Sequence, residues 1–404
     1  MTLTLLIAPS GFKESLLPWQ AAEHMADGAR RALPHARIIQ APVVDGGEGF
    51  TEGLVHATGG SLRTVDVSGP VGQRLQARLG FLGEAPGTPT TAVVEVAAAA
   101  GLRWVPADRR NPLHTCSRGV GELIRAALDA GARRILLGCG DSGINDGGAG
   151  MAQALGARLL DARGNAIAPG AAGLLQLAHI DLSGLDARLH RTQLDAAVNW
   201  QNQLLGPRGV ARVHGPQKGA TTTQVAEMEV ALHNFARHLH RATGMDVSRQ
   251  PGSGASGGLG AGFCALLGGR LHPRYEVVMQ YLDLDRLMDR CHLVLTAEGQ
   301  LDDQTPRGKV PAEVARRAKQ RGLPVIAVAG ALGPGADSNH AAGIDAYTST
   351  LREPCSLDDA FRQAGPWLAD ATEQALRMVA IGMGLSTAPA APAVARSPDA
   401  TVVV

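Results

Sequence analysis

Five short apolar runs, each closed by a glycine-rich polar turn and followed by helical periodicity, constrain this chain more than any other feature. Residues 3–8 lead into Ser10-Gly11-Phe12-Lys13, residues 38–44 into Asp45-Gly46-Gly47-Glu48-Gly49, and residues 134–137 into Gly138-Cys139-Gly140-Asp141-Ser142. Residues 293–296 lead into Ala297-Glu298-Gly299, and residues 325–329 into Gly330-Ala331-Leu332-Gly333. A buried parallel strand enters its crossover helix through this kind of pattern. The expected fold class is therefore α/β, with a doubly wound, mostly parallel sheet. Ligands of such sheets bind beyond the carboxyl ends of the strands, where helix N-termini and free N–H groups converge, so the five turns are expected to share one rim.

A chain of 404 residues exceeds what one core usually serves, and two α/β domains with a cleft between them are expected. Alternating apolar and polar residues over 61–84, and mixed short elements from 156 onward, suggest a second domain inserted in the first. The expected division is 1–60, 110–155 and 285–385 for the main domain and 61–109 with 156–284 for the second. The Pro- and Ala-rich stretch 386–404 reads as a disordered tail. Helices are expected over 119–130, with Gly131 as its stop, and over 223–242.

Apolar residues make up 45% and charged residues 19% of the chain, which excludes global disorder. With 38 basic and 37 acidic residues, no single-sign run offers a footprint for nucleic acid or an anionic membrane. The five scattered cysteines form no C-x-x-C pair, and the first apolar run ends at Pro9 without a basic flank. A cytoplasmic, small-molecule protein is the expectation, and the sequence leaves room for a homodimer.

No Walker A loop or protein-kinase signature occurs, a serine-hydrolase elbow is not expected, and the histidines show no zinc spacing. A G-x-G-x-x-G match at Gly138, Gly140 and Gly143 is weak, because a second one at Gly252, Gly254 and Gly257 follows no strand. The acidic turns carry more. Asp45 and Glu48 flank paired glycines, a setting for Mg²⁺ or a substrate hydroxyl, although a plain acidic turn has the same look. Asp146, in Asn145-Asp146-Gly147-Gly148, reads either as a helix cap or as a site acid. The densest cluster runs from Glu298 through Gln300, Asp302, Asp303, Gln304 and Thr305 to Gly308-Lys309. Acids for a metal beside a cation for phosphate oxygens are what phosphoryl transfer needs.

Taken in order, these segments resemble the type I glycerate kinase family over residues 3–385. The resemblance is carried by Phe12-Lys13-Glu14-Ser15, Asp45-Gly46-Gly47-Glu48-Gly49, Arg110-Asn111-Pro112-Leu113, Asn145-Asp146-Gly147-Gly148, Gly215-Pro216-Gln217-Lys218-Gly219-Ala220-Thr221 and Gly257-Gly258-Leu259-Gly260-Ala261-Gly262. It implies transfer of the ATP γ-phosphate to D-glycerate, or to a closely related hydroxy acid, with Mg²⁺, and 2-phosphoglycerate as the product. The expected catalytic residues are Lys13, Asp45, Asp146 and Asp302. Gly46, Gly47, Ser142, Asn145, Gln304, Thr305 and Lys309 are expected to bind substrate or ATP, and Glu48 and Glu298 to hold the metal.

The chain departs from the family pattern inside its motifs. Ser10 stands where an acid is usual, and Ile144 replaces a threonine in the Gly140-Asp141-Ser142-Gly143-Ile144-Asn145-Asp146 run. Val198-Asn199-Trp200-Gln201 places two amides where two acids are usual, and Gln300 replaces an arginine that could clamp an anion. An amide accepts hydrogen bonds but carries no charge. The alternative expectation is thus a catalytically silent homologue that binds a small ligand or regulates a partner.

Overall fold

Two β-sheets, joined by one apolar cluster, organise the computed structural model, which describes residues 3–12, 14–83 and 87–387. The strands are β1 (Thr4–Ile7), β2 (Arg37–Gln40), β3 (Ser61–Ser68), β4 (Arg74–Phe81), β5 (Thr91–Glu95), β6 (Arg134–Gly138) and β7 (Arg158–Leu160). They continue as β8 (His179–Asp181), β9 (Gln193–Val198), β10 (Arg270–Pro273), β11 (Leu293–Leu301), β12 (Val325–Leu332) and β13 (Ala346–Ser349).

The first sheet has the order β13-β12-β11-β1-β2, and all its pairings are parallel. β1 is fully buried at its centre, as expected for a continuous apolar run covered on both faces. One face is covered by the helix Pro18–Ala32, which packs on the long helix Leu357–Thr387 around Met25, Leu368 and Leu376. The second sheet has the order β10-β9-β6-β5-β4-β3, parallel from β10 to β5 and antiparallel through the β3–β4 hairpin. That hairpin is the alternating stretch foreseen over 61–84. The expected helices are present as Arg118–Asp129 and Thr222–Thr243, the latter opened by a capping box between Thr221 and Gln224.

The division into domains requires a correction. β6 lies inside residues 110–155, expected in the main domain, yet pairs with β5 and β9 in the second sheet. The physical reason is the short crossover: the helix Arg118–Asp129 returns the chain beside the strand it left, as β-α-β units do. Residues 386 and 387 belong to the last helix, and 388–404 lie outside the described residues.

β11 is also longer than its apolar run. It continues through Glu298 and Gln300 because Gln300 and Leu301 still pair with Ala331 and Leu332 of β12. Glu298 therefore projects from a strand instead of a turn. The two sheets share one cluster, in which Leu6 and Val294 of the first meet Val93, Leu136 and Ala197 of the second through Phe50, Leu54 and Val278.

Candidate active site

The turns after β2 and β6 come from different sheets and interlock through glycine. A Cβ on Gly140 would stand 2.5 Å from the Gly47 Cα, and one on Gly47 would stand 2.1 Å from Asp141 Oδ2. Only bare backbone permits that approach. The contact lets Asp141 Oδ2 accept the Glu48 N–H at 3.1 Å, while Asp45 Oδ1 accepts the Gly47 N–H at 3.2 Å. Gly46 has φ +90°, a left-handed conformation that glycine adopts without strain, and the neighbouring Asp45 side chain is partly exposed. The rims of the two sheets meet here, so the single shared rim expected from sequence is a junction of two.

Arg274 opens the helix Arg274–Leu282 and ties this junction to the β11 loop. Its guanidinium lies 3.1 Å from Asp45 Oδ2 and also donates to the Gly308 carbonyl, which accepts the Tyr275 hydroxyl at 3.1 Å. The guanidinium rests 4.7 Å from the Tyr275 ring centroid. Sequence reasoning missed Arg274, because neither its spacing nor its neighbours marks it as facing Asp45 across 229 positions.

Beside Gly308, Lys309 Nζ stands 3.2 Å from Asp302 Oδ1 and 3.8 Å from Glu298 Oε1. Burial works to raise the Asp302 pKa, but Lys309 and the Gln304 and Thr305 donors outweigh it and hold the carboxyl below its usual value. The Gln304 N–H reaches Asp302 Oδ1 at 3.0 Å, and the fully buried Thr305 accepts the Asp302 N–H at 3.2 Å. Thr305 thus shapes the loop, and the Gln304 side chain donates to Asp303. Gln300 Nε2 bonds Asp302 Oδ2 at 3.2 Å, so the amide standing for the expected arginine steadies the acid instead of clamping an anion. An open groove of about 450 Å³ adjoins this loop, lined by Asp303, Pro306, Arg307 and Ser338.

Lys218 is a second residue missed, although Gly215-Pro216-Gln217-Lys218-Gly219 was visible. It is 3% exposed, and its Nζ donates to the Ile144 carbonyl at 2.6 Å, Asn145 Oδ1 at 3.1 Å and Ser142 Oγ at 3.3 Å. Burial pulls its ammonium down to about 7 against the raising effect of the Asp146 charge. Ser142 and Asn145 are consequently held by protein. Asp146 is fully buried, and its oxygens accept from Ser117 N and Oγ at 2.8 Å each, Gly148 N at 3.1 Å and Gly150 N at 3.2 Å. Three of these donors meet Oδ2 and only Gly148 N meets Oδ1, so the carboxylate fastens the loop as a cap does.

Lys13 lies outside the described residues. Glu48 stands 3.5 Å from Arg103 NH1, whereas Glu298 faces Lys309, so the two expected metal ligands have different cationic neighbours. No group of three or more His, Cys, Asp or Glu is placed to hold a metal among the described residues. Ser10 donates to the Ala297 carbonyl at 3.0 Å. Asn199 Oδ1 accepts the Gln201 N–H at 3.1 Å in a turn that needs an acceptor but no charge. The pentad Gly254-Ala255-Ser256-Gly257-Gly258 has G-x-S-x-G spacing, but no strand precedes it and the Ser256 hydroxyl is buried, which does not suit an exposed nucleophile.

The chain matches the Glycerate kinase family over residues 5–380. It is 43% identical to the glycerate 2-kinase of Escherichia coli K12, across 94% of this chain and 99% of that protein. It is equally 43% identical to the glycerate kinase of Halalkalibacterium halodurans, across 94% and 97% respectively. A crystal structure assigned as a glycerate kinase 2 from Salmonella typhimurium LT2 superposes with a TM-score of 0.80 at 42% identity, covering 95% of this chain and 100% of that one.

Proposed function

This chain belongs to the glycerate kinase family and is a phosphotransferase with an alcohol acceptor, and we propose that it transfers the ATP γ-phosphate to D-glycerate, giving 2-phosphoglycerate. The observation that carries the reading is the joining of two half-sites by Arg274: the Asp45 carboxylate on one side and the Lys309, Asp302 and Glu298 cluster on the other. Phosphoryl transfer depends on placing an acceptor hydroxyl in line with a charge-stabilised phosphate, and this arrangement supplies both functions.

In this reading the nucleotide lies in the groove beside Asp303 and Arg307, with Lys309 against the transferring phosphate. Mg²⁺ takes one or two carboxylates together with phosphate oxygens and waters. Glu298 and Asp302, which both approach Lys309, suit that role better than a pairing of Glu298 with Glu48. Bound there, the ion would neutralise phosphate charge. Asp45, 44% exposed at its side chain, accepts a hydrogen bond from the acceptor hydroxyl and orients it. The hydroxyl oxygen bonds to the γ-phosphorus, the bond to the ADP oxygen breaks, and the hydroxyl proton passes to Asp45 or to water. Gly46 and Gly47 keep the backbone clear for this approach, while Ser142 and Asn145, bonded to Lys218, hold the wall behind it. Glu48, bonded to Arg103, flanks the acceptor side. All five cysteines are free, which suits a reducing cytoplasm, and no described helix is long and apolar enough to cross a membrane.

The test is ADP release by the purified chain with ATP and Mg²⁺, with and without D-glycerate, followed by ³¹P–¹H correlation on the product. Glycerate-dependent turnover with phosphorus coupled to the C2 proton is the expected result. Absence of acceptor-dependent turnover defeats the assignment.

A further inference from the structure

A cavity of about 160 Å³ lies at the carboxyl end of β5, where Gly49 closes the Asp45-Gly46-Gly47-Glu48-Gly49 turn. Its wall includes Gly49, Thr51, Glu95, Arg78, Arg103 and Trp104. At about 30 Å³ per water, this space corresponds to about five waters, or one molecule of three or four carbons. Nothing in the sequence reading marked it.

Its polar groups are unusual for a place with no structural task. Thr51 is 1% exposed, and its hydroxyl has no hydrogen-bond partner, although buried hydroxyls are almost always satisfied. Glu95 is 2% exposed, and its Oε2 accepts the Thr51 N–H at 3.2 Å. Burial, reinforced by Glu52 and Glu48 and opposed by the Thr51 N–H and Arg103, pushes its carboxyl up to about 8. At neutral pH the Glu95 carboxyl is thus protonated and can donate as well as accept. Two exposed guanidiniums, Arg78 and Arg103, stand on the rim, with Arg103 stacked 4.9 Å from the Trp104 ring centroid.

The cavity is also wired to the transfer site. Residues 141–143 bond residues 100–102 through Leu102 N to the Asp141 carbonyl at 2.9 Å and Gly143 N to the Ala100 carbonyl at 2.8 Å. Arg103 follows this pairing and reaches Glu48, whose own N–H is held by Asp141. One face of the glycine turn thus carries Asp45, and its far end opens into the cavity.

We propose that this cavity is the subsite for the hydroxy acid, whose carboxylate meets Arg103 and Arg78 at the rim and whose non-reacting hydroxyl bonds Thr51 Oγ1 and Glu95 on the floor. A buried neutral carboxyl beside an unsatisfied hydroxyl recognises a hydroxyl, and paired guanidiniums recognise a carboxylate. The inference rests on the acceptor assignment above, and the experiment separates the two.

Wild type, Thr51→Val, Glu95→Gln and Arg103→Met are compared by steady-state kinetics and by calorimetric titration of D-glycerate without nucleotide. Arg103 is half exposed, so its replacement tests the subsite even if the buried variants do not fold. Thr51→Val and Arg103→Met are expected to weaken D-glycerate binding and raise its KM about tenfold each, with the KM for ATP unchanged. In wild type the KM for D-glycerate rises above pH 8 as Glu95 ionises among Glu48 and Glu52, and Glu95→Gln abolishes that rise. Unchanged glycerate affinity in folded Thr51→Val and Arg103→Met overturns the subsite. Wild type that binds D-glycerate in a Thr51- and Arg103-dependent way but does not turn it over upholds the subsite and defeats the kinase assignment instead.

Discussion

Arg274 and Asp45 stand 3.1 Å apart, yet belong to elements that reach the site from opposite directions along the chain. The same guanidinium holds the Gly308 carbonyl, so one side chain sets the spacing between the Asp45 turn and the Lys309 loop.

Replacing Arg274 with methionine preserves much of its apolar contact and removes both bonds. Because Asp45 is partly exposed, the ion pair itself contributes little, and the Gly308 carbonyl keeps the Tyr275 hydroxyl as a donor. We expect a loss of about 0.5–1.5 kcal/mol in chemical denaturation, the net worth of one hydrogen bond. Turnover should fall by about 100-fold, since misplacement of about 1 Å costs that much. A variant as active as wild type would show that the two half-sites do not need this brace.

Lys309→Met removes the cation that the proposed reaction sets against the transferring phosphate. Loss of one such group lowers kcat by about 10² to 10³. Asp302→Asn should act in the same direction, and because the Asp302 carboxyl lies below its usual value, wild type gains stability above the unfolded-state pKa and loses it as pH falls through the folded one. Acid unfolding of Asp302→Asn should therefore be shallower below about pH 4, as read from melting temperatures across that range.

Glu95 titrates in the opposite sense. Its folded-state value of about 8 lies above the usual 4.5, so between those pH values the native chain holds a proton that the unfolded chain has released. Stability consequently falls as pH rises from 4.5 to 8, by no more than about 5 kcal/mol. Glu95→Gln should flatten that slope. Equal slopes in wild type and variant would mean that Glu95 is ionised in the fold.

Lys218 bears on stability at higher pH. Its ammonium is drawn down to about 7, so from there to about 10.5 the unfolded chain holds the extra proton and stability climbs with pH. Lys218→Met should remove that climb. It should also destabilise the chain by about 1–3 kcal/mol, because the Ile144 carbonyl and Asn145 Oδ1 lose their buried donor. Denaturant titrations at pH 7 and pH 9 test both effects.

Much of this was open to reading before any coordinates. β1, β6, the β3–β4 hairpin and the helices Arg118–Asp129 and Thr222–Thr243 follow from periodicity and caps within a few residues of each other. The motifs around Asp45, Asn145 and Lys218 carry the family resemblance, and the family match spans nearly the whole chain. The reading failed where a residue's role depended on distant partners. Asp146 read as a cap or a site acid, and its two bonds from Ser117, 29 positions away, could not be seen in the sequence. Glu298 looked like a turn residue because its own neighbourhood is polar, although β12 keeps it in a strand.

Local interactions are written in adjacent residues, and so the amino-acid order alone determined the α/β class, the glycine turns and the motifs that carry the family resemblance. Burial, charge compensation and the joining of sheets are long-range quantities summed over elements that meet only in the folded chain. Tertiary structure therefore decided that β6 joins the second sheet, that Arg274 braces Asp45, that Asp146 is buried against Ser117, and that Glu95 lines a cavity with Thr51.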